Sequence, residues 1–306
     1  MNGTLPNPQP SPYRLTGSDT HDAPFVFSSP HSGRWYPAAF RRASRLDART
    51  LRRSEDCYVD DLFATAADAG AALIAAVYPR AYIDLNRAAE ELDPLLFDGP
   101  LPAHAQADGD RVSVGLGVIP RVVATGVPIY RQRLPIAEAH RRIDHIHRPY
   151  HTRLTDLLDG ARRRHGWAVL IDCHSMPSFG LRAPRSTPRA RQRRHHEPLV
   201  ADIVLGDRHG RSCHPALMDR AQTILSDLGY RVSRNDPYAG GFCTSHYGRP
   251  HRGLHALQIE IKRSLYMDEQ TLARTPGFDR LRRHLGDLVT GLLTLDLLDQ
   301  GRQAAE

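Results

Sequence analysis

The strongest structural signal in the chain is Trp167-Ala168-Val169-Leu170-Ile171-Asp172-Cys173-His174-Ser175, an apolar run that ends abruptly in polar side chains. A short run of this kind, rich in β-branched residues, is typical of a strand buried on both faces of a parallel sheet. In open α/β sheets, ligands bind at the carboxyl ends of such strands. Asp172, His174 and Ser175 are therefore candidates for a functional site.

A second run of the same design is Phe25-Val26-Phe27-Ser28-Ser29-Pro30-His31-Ser32-Gly33. Because both strands end in a histidine, we expect His31 and His174 to meet at one edge of the sheet. That geometry suits a metal ion, and zinc is the ion most often bound by His and carboxylate together. The alternative is ordinary: the chain has 17 His, and most histidines are exposed or simply hydrogen-bonded.

Apolar runs of strand length alternate with helical patterns along the whole chain. This alternation predicts an α/β fold, with a mixed, mainly parallel sheet flanked by helices in one domain. The expected domain spans residues 23–300 and follows a flexible tail at residues 1–22. Strands are expected near residues 24–28, 71–77, 82–85, 167–173, 200–205, 230–233 and 254–261. Helices are expected near residues 58–70, 136–164, 215–228 and 278–298.

The net charge of +7 comes almost entirely from arginine, since Lys262 is the only lysine. The densest basic run, residues 182–194, is Pro-rich and favours a solvated loop, although a nucleic-acid-binding arm is the alternative. A basic balance also suits a small anionic substrate. The four Cys form no Cys-x-x-Cys pair and no apolar run approaches the roughly 20 residues of a membrane span, so we expect free thiols, a cytoplasmic location and no membrane partner.

Two histidines need an acidic partner to complete a catalytic zinc site with one open position. Glu55 and Asp56 are both candidates, although an acidic residue before a helix also complements the helix dipole. Glu260 lies inside the apolar strand Gln258-Ile259-Glu260-Ile261-Lys262, where a carboxylate is costly unless it is paired or close to a metal. A general base beside the metal is the functional interpretation, and an ion pair with Lys262 or an arginine is the structural one.

Two further groups of polar residues suit substrate binding. Arg80, Asn86 and Arg87 surround the end of a short predicted strand, and arginine binds carboxylates bidentately. A Gly-rich stretch carrying Tyr238 and His246 could close over a pocket. Surface arginines and an ordinary loop are the alternatives.

Taken together, seven motifs resemble those of the N-formylglutamate amidohydrolases, within the wider carboxypeptidase-like and aspartoacylase-like zinc hydrolases. The resemblance covers about residues 24–295. Its motifs are Ser29-Pro30-His31-Ser32-Gly33, Asp56 with Val59-Asp60, Asp84-Leu85-Asn86-Arg87, Asp172-Cys173-His174-Ser175, Asn235-Asp236-Pro237-Tyr238-Ala239-Gly240-Gly241, His246-Tyr247-Gly248 and Gln258-Ile259-Glu260-Ile261.

The resemblance implies a zinc-exopeptidase-like (phosphorylase/hydrolase-like) fold that binds one Zn²⁺ per chain. It also implies hydrolysis of an N-acyl amino acid, N-formyl-L-glutamate above all, in amino-acid metabolism such as histidine degradation. By the same resemblance His31 and His174 are zinc ligands and Glu260 is the general base. Arg80 stabilises the oxyanion, and Asn86 and Arg87 hold the substrate carboxylate.

The chain departs from the wider group at its first metal motif. That group has His-x-x-Glu as its first two ligands, whereas position 34 here is Arg34 and His-x-x-Glu occurs nowhere in the chain. The third ligand must therefore come from elsewhere, and Asp56 fits the family pattern better than Glu55. The residues after Arg87 also differ from those expected of dedicated histidine-degrading enzymes, so a zinc amidase or carboxypeptidase acting on peptides or cell-wall fragments is the alternative function.

Overall fold

A computed structural model describes residues 9–17, 22–123, 126–180, 197–198 and 201–297. Its strands are β1 (Tyr13–Thr16), β2 (Phe25–Ser29), β3 (Ala72–Ala76), β4 (Phe97–Asp98), β5 (Val122–Val123), β6 (Val127–Pro128), β7 (Leu134–Pro135), β8 (Ala168–Met176), β9 (Phe179–Gly180), β10 (Glu197–Pro198), β11 (Ile203–Gly206), β12 (Val232–Arg234) and β13 (Leu254–Lys262). Its α-helices are α1 (Ala38–Ala43), α2 (Ala48–Arg52), α3 (Val59–Leu62), α4 (Thr65–Asp68), α5 (Asp110–Ser113), α6 (Ile136–Arg142), α7 (Arg148–His165), α8 (Pro215–Asp227), α9 (Phe242–Tyr247) and α10 (Gly277–Leu293). A π-helical turn (Ile143–His147) joins α6 to α7, and 3-10 turns cover Pro250–Arg252 and Arg263–Leu265.

Seven strands of this part of the chain form one mixed sheet in the order β1-β3-β2-β8-β13-β11-β12. The four central strands, β3, β2, β8 and β13, are parallel to one another. β1 and β11 pair antiparallel with the outer two of these four, and β12 is parallel to β11. The predicted mixed, mainly parallel sheet is thus confirmed, and the carboxyl ends of its four central strands meet at one edge.

Helices pack on both faces of the sheet because successive side chains of a strand point to opposite faces. All nine residues of β8 are buried. Val169, Ile171 and Cys173 belong to the core cluster that includes α8 and α10, whereas Leu170 belongs to the one that includes α7. The same alternation places Asp172 and His174 on the α7 face, and Cys173 lies in the core as expected.

The predicted flexible tail is wrong for residues 13–16. These residues form β1, an edge strand in which Tyr13 lies opposite Ala76 and Thr16 opposite Leu73. An edge strand is covered on one side only, so its burial alternates between half-buried and exposed, and its polar composition conceals it in the sequence. Residues 1–8 and 18–21 lie outside the described residues.

Residues 82–85, predicted to be a strand, form a turn instead. The backbone N–H groups of Tyr82 and Ile83 donate to the carbonyl oxygen of Pro79, and that of Asp84 donates to Val118. The apolar side chains are nevertheless buried, since Ile83 and Leu85 are fully covered. Burial rather than strand pairing explains the apolar pattern.

One predicted helix is interrupted, and another contains a π-helical turn. The segment 58–70 forms α3 and α4 with Phe63 between them, and the Phe63 ring is fully buried against Phe27 with 6.0 Å between ring centroids. The helix predicted at 136–164 contains the π-helical turn at Ile143–His147. At Phe63 tertiary packing outweighs the local helical preference, whereas residues 136–165 stay helical throughout, as predicted.

The four cysteines are free and buried, as expected from their spacing. No helix in the described ranges is long and apolar enough to cross a membrane. The arginine-rich run at residues 182–194, and with it the nucleic-acid alternative, lies outside the described residues.

Leu170→Ala should lower the free energy of unfolding by about 2–5 kcal/mol, because Leu170 is fully buried at the centre of the sheet and its truncation leaves a cavity. Leu95→Ala is the matched control: Leu95 is 64% exposed, and its loss should change stability by less than about 0.5 kcal/mol. Urea unfolding of both variants measures the difference. Equal losses would contradict the assignment of β8 as the central strand.

Candidate active site

The turn after β2 delivers His31 to the edge where the central strands end. Position 33 requires glycine, because Gly33 packs directly on the backbone of Val77 and Tyr78. A Cβ atom there would collide with the Tyr78 carbonyl oxygen. The carbonyl oxygen of His31 accepts a hydrogen bond from the backbone N–H of Asp56 at 3.0 Å. This contact places Asp56 beside His31.

His31, Asp56 and His174 are buried together at this edge, each at most 2% exposed. Asp56 Oδ2 lies 3.3 Å from His31 Nδ1 and 3.0 Å from His174 Nδ1. The two imidazole rings are 4.7 Å apart between centroids. One ligand atom from each of the three residues lies within 4.8 Å of the others, so this set could hold a metal ion.

The far nitrogen of each imidazole faces a buried carboxylate. His31 Nε2 lies 2.7 Å from Asp84 Oδ1, and His174 Nε2 lies 3.0 Å from Asp172 Oδ2. In the tautomer that carries the proton on Nε2, each ring donates to its outer carboxylate, and Asn86 Nδ2 also lies 3.0 Å from His174 Nε2. Each Nδ1 is then an unprotonated acceptor, in the arrangement by which carboxylates orient metal-binding histidines.

In that tautomer three acceptors converge, namely His31 Nδ1, His174 Nδ1 and Asp56 Oδ2. His31 Nδ1 is a buried atom without a hydrogen-bond partner among the described residues. Lone pairs that face one another in a buried space repel unless a cation or a proton lies between them. A divalent cation fits the chemistry of this donor set, two imidazole nitrogens and one carboxylate oxygen.

The charges around this point also favour a divalent cation. The buried carboxylates are those of Asp56, Asp84, Asp172 and Glu260, and the guanidinium groups that face them belong to Arg80 and Arg263. With these groups ionised and both imidazoles neutral, the four carboxylates outnumber these two guanidinium groups by two, and Arg87, whose charge also acts on Asp84, reduces the excess to one negative charge. Uncompensated buried charge is costly, and a divalent cation would offset it.

The protonation preferences of the cluster show the same excess of negative charge. Burial alone would raise the pKa of Asp56, but hydrogen bonds to His174 and His31 hold the pKa of that carboxyl well below its usual range. Burial alone would lower the pKa of His174, but Asp172 and Asp56 raise it well above its ordinary value. Without a cation, a proton on His174 balances part of the charge, and metal binding would release it.

Glu260 stands beside the three candidate ligands. It lies opposite His174 in the register of β13 and β8, and alternation places both side chains on the same face. Gln258 Nε2 donates to Glu260 Oε1 at 3.0 Å. Burial and the nearby carboxylate of Asp56 raise the pKa of Glu260 to about 7, against the charge of His174, so this carboxyl can exchange a proton near neutral pH.

Arg80 reaches the same cluster from the turn after β3. Its Nε donates to Asp84 Oδ2 at 2.9 Å, while Asp84 Oδ1 receives His31. Burial would lower the pKa of Arg80, but Asp84, Asp56 and Glu260 outweigh it and raise the pKa. Its side chain is 28% exposed, so the guanidinium carries a positive charge at the border between the site and solvent.

The side-chain amide of Asn86 is already engaged within the protein. Its Nδ2 lies 3.3 Å from Asp172 Oδ2, and its Oδ1 accepts the backbone N–H of Cys243 at 2.7 Å. Gly241 packs so closely on this amide that a Cβ atom there would lie 2.6 Å from Asn86 Nδ2. Asn86 thus braces the carboxylate that orients His174.

Arg87 has a guanidinium without a full set of partners. Arg87 Nε is buried and has no hydrogen-bond partner in the described part of the chain. Burial lowers the pKa of Arg87, and the neighbouring positive charges of Arg80 and Arg111 add to this effect against Asp84. An anionic ligand would relieve both the missing hydrogen bond and the repulsion.

Tyr238 and His246, from the predicted closing loop, lie in different places. Burial and the negative charge of Glu260 raise the pKa of Tyr238, so its hydroxyl is near the site. His246 stacks on Phe242 and lines a cavity of about 510 Å³. Leu254 lines the same cavity and pairs with Ala168 at the amino end of β8, about 20 Å along the strand from His174. Among the described residues, the recorded contacts of His246 are with Phe242 and Tyr247.

Arg249 and Arg252 line the same cavity as His246. Glu55, the other acidic candidate, is turned away from both histidines. Its carboxylate accepts from Tyr36 Oη at 2.6 Å and from Arg52 Nε at 3.1 Å. Asp56 is the acidic residue in the three-residue cluster.

Several residues of the site were missed by sequence reasoning. Asp84 was noted only as part of a motif and Asp172 only as a strand-end candidate without a role, although each orients one histidine. Arg263, whose Nη2 donates to Asp56 Oδ1 at 3.0 Å, follows directly after β13. Its position just past a strand that ends at the site edge is the signal that could have found it.

Comparisons with known proteins show which family the chain resembles. The sequence profile of the N-formylglutamate amidohydrolase family matches residues 23–267. The chain is 33% identical over 249 residues to an N-formylglutamate deformylase of Pseudomonas putida, covering 80% of this chain and 82% of that protein. It is 31% identical over 250 residues to an N-formylglutamate deformylase of Pseudomonas aeruginosa, covering 81% and 83%.

Two solved structures are also similar to this chain. The crystal structure of N-formylglutamate amidohydrolase from Ralstonia eutropha JMP134 is similar with a TM-score of 0.83 and 39% sequence identity, covering 93% of this chain and 98% of that one. A gene product of Agrobacterium tumefaciens has a TM-score of 0.65 at 17% identity, over 93% and 96% of the two chains, and shares the fold.

Asp56→Asn should weaken Zn²⁺ binding by about 100-fold or more, because even residues that only orient a metal ligand contribute 10–100-fold. Glu55→Gln is the matched control: the same acid-to-amide change at the next residue should leave the affinity within a few-fold. Competition with a chromogenic chelator measures both affinities. A loss in Glu55→Gln with none in Asp56→Asn would contradict the three-residue cluster.

Proposed function

The chain belongs to the N-formylglutamate amidohydrolase family, and from this premise we propose that it hydrolyses N-formyl-L-glutamate to formate and L-glutamate with a bound divalent metal ion. The observation that carries the proposal is the convergence of His31 Nδ1, His174 Nδ1 and Asp56 Oδ2, three buried atoms that can each ligate a metal ion. Zinc is the proposed ion because its catalytic sites use three such ligands and keep one position open.

A bound divalent ion would act as a Lewis acid on the formyl carbonyl and would lower the pKa of a water molecule toward neutrality. Within the protein, Asp84 and Asp172 hold the two imidazoles in the tautomer that presents Nδ1. Asn86 braces Asp172. These residues prepare the site before any substrate enters, so little reorganisation is needed during the reaction.

Glu260 is the proposed general base and acid. Its pKa of about 7 allows it to take a proton from the attacking water and to return one to the departing amine nitrogen. Water adds to the formyl carbon, and the C–N bond then breaks. The carbon leaves as formate and the nitrogen stays on the amino acid.

Arg80 and Arg87 are the proposed cationic contacts of the substrate. The charge of Arg80, at the border of the cluster, would stabilise the oxyanion that forms on the formyl oxygen. The unpartnered Nε of Arg87 would receive a carboxylate of the substrate. Tyr238 is proposed to close the site beside Glu260, and His246 stays a proposed substrate contact.

The proposal keeps three finer expectations from the sequence. These are zinc as the working metal, a cytoplasmic location and a role in histidine degradation. The ligand set supports zinc, the absence of paired cysteines supports the cytoplasmic location, and the family resemblance supports the role in histidine degradation.

Purified protein should contain about one zinc per chain and should hydrolyse N-formyl-L-glutamate. Dialysis against a chelator should abolish the release of formate, measured with a coupled formate dehydrogenase, and added Zn²⁺ should restore it. N-Formyl-L-leucine is a suitable control substrate, because it lacks the second carboxylate. Activity that is indifferent to chelation would contradict the metal, and hydrolysis of short peptides in preference to formylglutamate would contradict the substrate.

Glu260→Gln should keep zinc and substrate binding but lower kcat by about 10²–10⁴-fold, because the amide has the shape of the carboxylate and cannot take a proton. Metal content and the dissociation constant of N-formyl-L-glutamate, measured by calorimetry, show whether the site is intact. Wild-type kcat in a variant that binds both would remove Glu260 from the base role.

A further inference from the structure

Arg263 is a buried arginine that holds the segment carrying Asp56. It lies in the 3-10 turn that follows β13, and its side chain is only 10% exposed. Its guanidinium donates to the carbonyl oxygens of Arg53 at 3.1 Å and Glu55 at 2.8 Å. These contacts tie the segment before α3 to the end of β13.

The same guanidinium also contacts the carboxylate of Asp56, and it does so together with Ser175. Arg263 Nη2 donates to Asp56 Oδ1 at 3.0 Å, and Ser175 Oγ donates to the same oxygen at 3.2 Å. Arg263 Nε in turn donates to Ser175 Oγ at 3.1 Å. His174 and Ser175 are consecutive on β8, so the strand presents one of them to each oxygen of Asp56.

The two oxygens of Asp56 are therefore not equivalent. Oδ1 receives two donors, one of them charged, whereas Oδ2 faces the two imidazole Nδ1 atoms. Charge-assisted hydrogen bonds are the stronger kind, and in a buried place they are expensive to break. A metal ion between the imidazoles would thus find Oδ2 available and Oδ1 occupied.

We propose that Arg263, together with Ser175, makes Asp56 a one-oxygen metal ligand and so keeps a coordination position free for water and substrate. Arg263 is a positioning residue in this proposal, since it acts through Asp56. The proposal rests on the metal site of the proposed function. The new element is that Arg263 and Ser175, which are not themselves metal ligands, determine how many ligand atoms surround the metal.

A second arginine near the site pairs with Glu55 rather than with the candidate ligand Asp56. Arg52, on α2, binds Glu55 through Nε and is 36% exposed. Arg52 and Arg263 thus attach to consecutive carboxylates of one segment, but Arg263 is the one whose contact is buried and directed at the ligand. Arg52 therefore offers a matched control for the loss of an arginine near the site.

The test compares Arg263→Met with Arg52→Met, each as full-length protein loaded with Zn²⁺ or Co²⁺ after removal of metal by chelation. Arg263→Met should bind Zn²⁺ about 10–100-fold more weakly, because partners that orient a ligand contribute about this much. The visible absorption of its Co²⁺ form should weaken, because cobalt absorbs less as its coordination number rises. Arg52→Met should match the wild type in both measurements.

Two gentler variants keep the test informative if Arg263→Met does not fold. Arg263→Lys keeps the positive charge without the planar fork and should fall between Arg263→Met and the wild type in affinity. Ser175→Ala removes the neutral donor alone and should weaken Zn²⁺ binding roughly fivefold. Thermal unfolding of the metal-free proteins separates a loss of fold from a loss of metal.

The possible results distinguish a failure of this inference from a failure of the proposed function. If the wild type binds no metal, the proposed function and this inference both fail. If the wild type binds metal and hydrolyses formylglutamate while Arg263→Met retains both its affinity and its cobalt spectrum, only the inference fails. It also fails if Arg52→Met loses as much affinity as Arg263→Met.

Discussion

Three buried acceptors that face one another are the constraint on which the site depends. Asp56 Oδ2 lies 3.3 Å from His31 Nδ1 and 3.0 Å from His174 Nδ1, and His31 Nδ1 has no hydrogen-bond partner among the described residues. Such an arrangement is stable only if something positive occupies the centre. The surrounding carboxylates hold the outer nitrogen of each ring, so the rings cannot turn to relieve the repulsion.

The sheet supplies this arrangement through two simple rules. Parallel strands end at a common edge, which brings the turn after β2 next to the ends of β8 and β13. Side chains alternate along each strand, so the His174 side of β8 faces the same side as Glu260 on β13. Consecutive residues of β8 can therefore contact the two different oxygens of Asp56. One short strand provides a candidate ligand, its orienting carboxylate and a donor to the neighbouring ligand.

The arginines around the site have distinct tasks that follow from their partners. Arg263 and Arg80 are paired with the buried aspartates and offset their charge. Arg87 has a buried Nε without a partner among the described residues, and it lies near further positive charge. A site balanced by a divalent cation would still have this cationic group left over. This additional positive charge on Arg87 explains why an anionic substrate suits the site.

The sequence by itself determined the strands and the chemistry at their ends. The apolar runs before His31 and His174 predicted buried parallel strands, and the fold confirmed them, because burial and side-chain alternation are properties of each short segment. Glu260 was recognisable in the same way, as a carboxylate in an apolar strand. Contacts between distant segments were decided only by the tertiary structure. It selected Asp56 over Glu55, engaged Asn86 with Asp172, turned residues 82–85 away from strand structure and brought Arg263 to Asp56. A sequence records which groups a chain carries, but a partner more than 200 residues away, as Arg263 is from Asp56, becomes a neighbour only when the sheet closes around both.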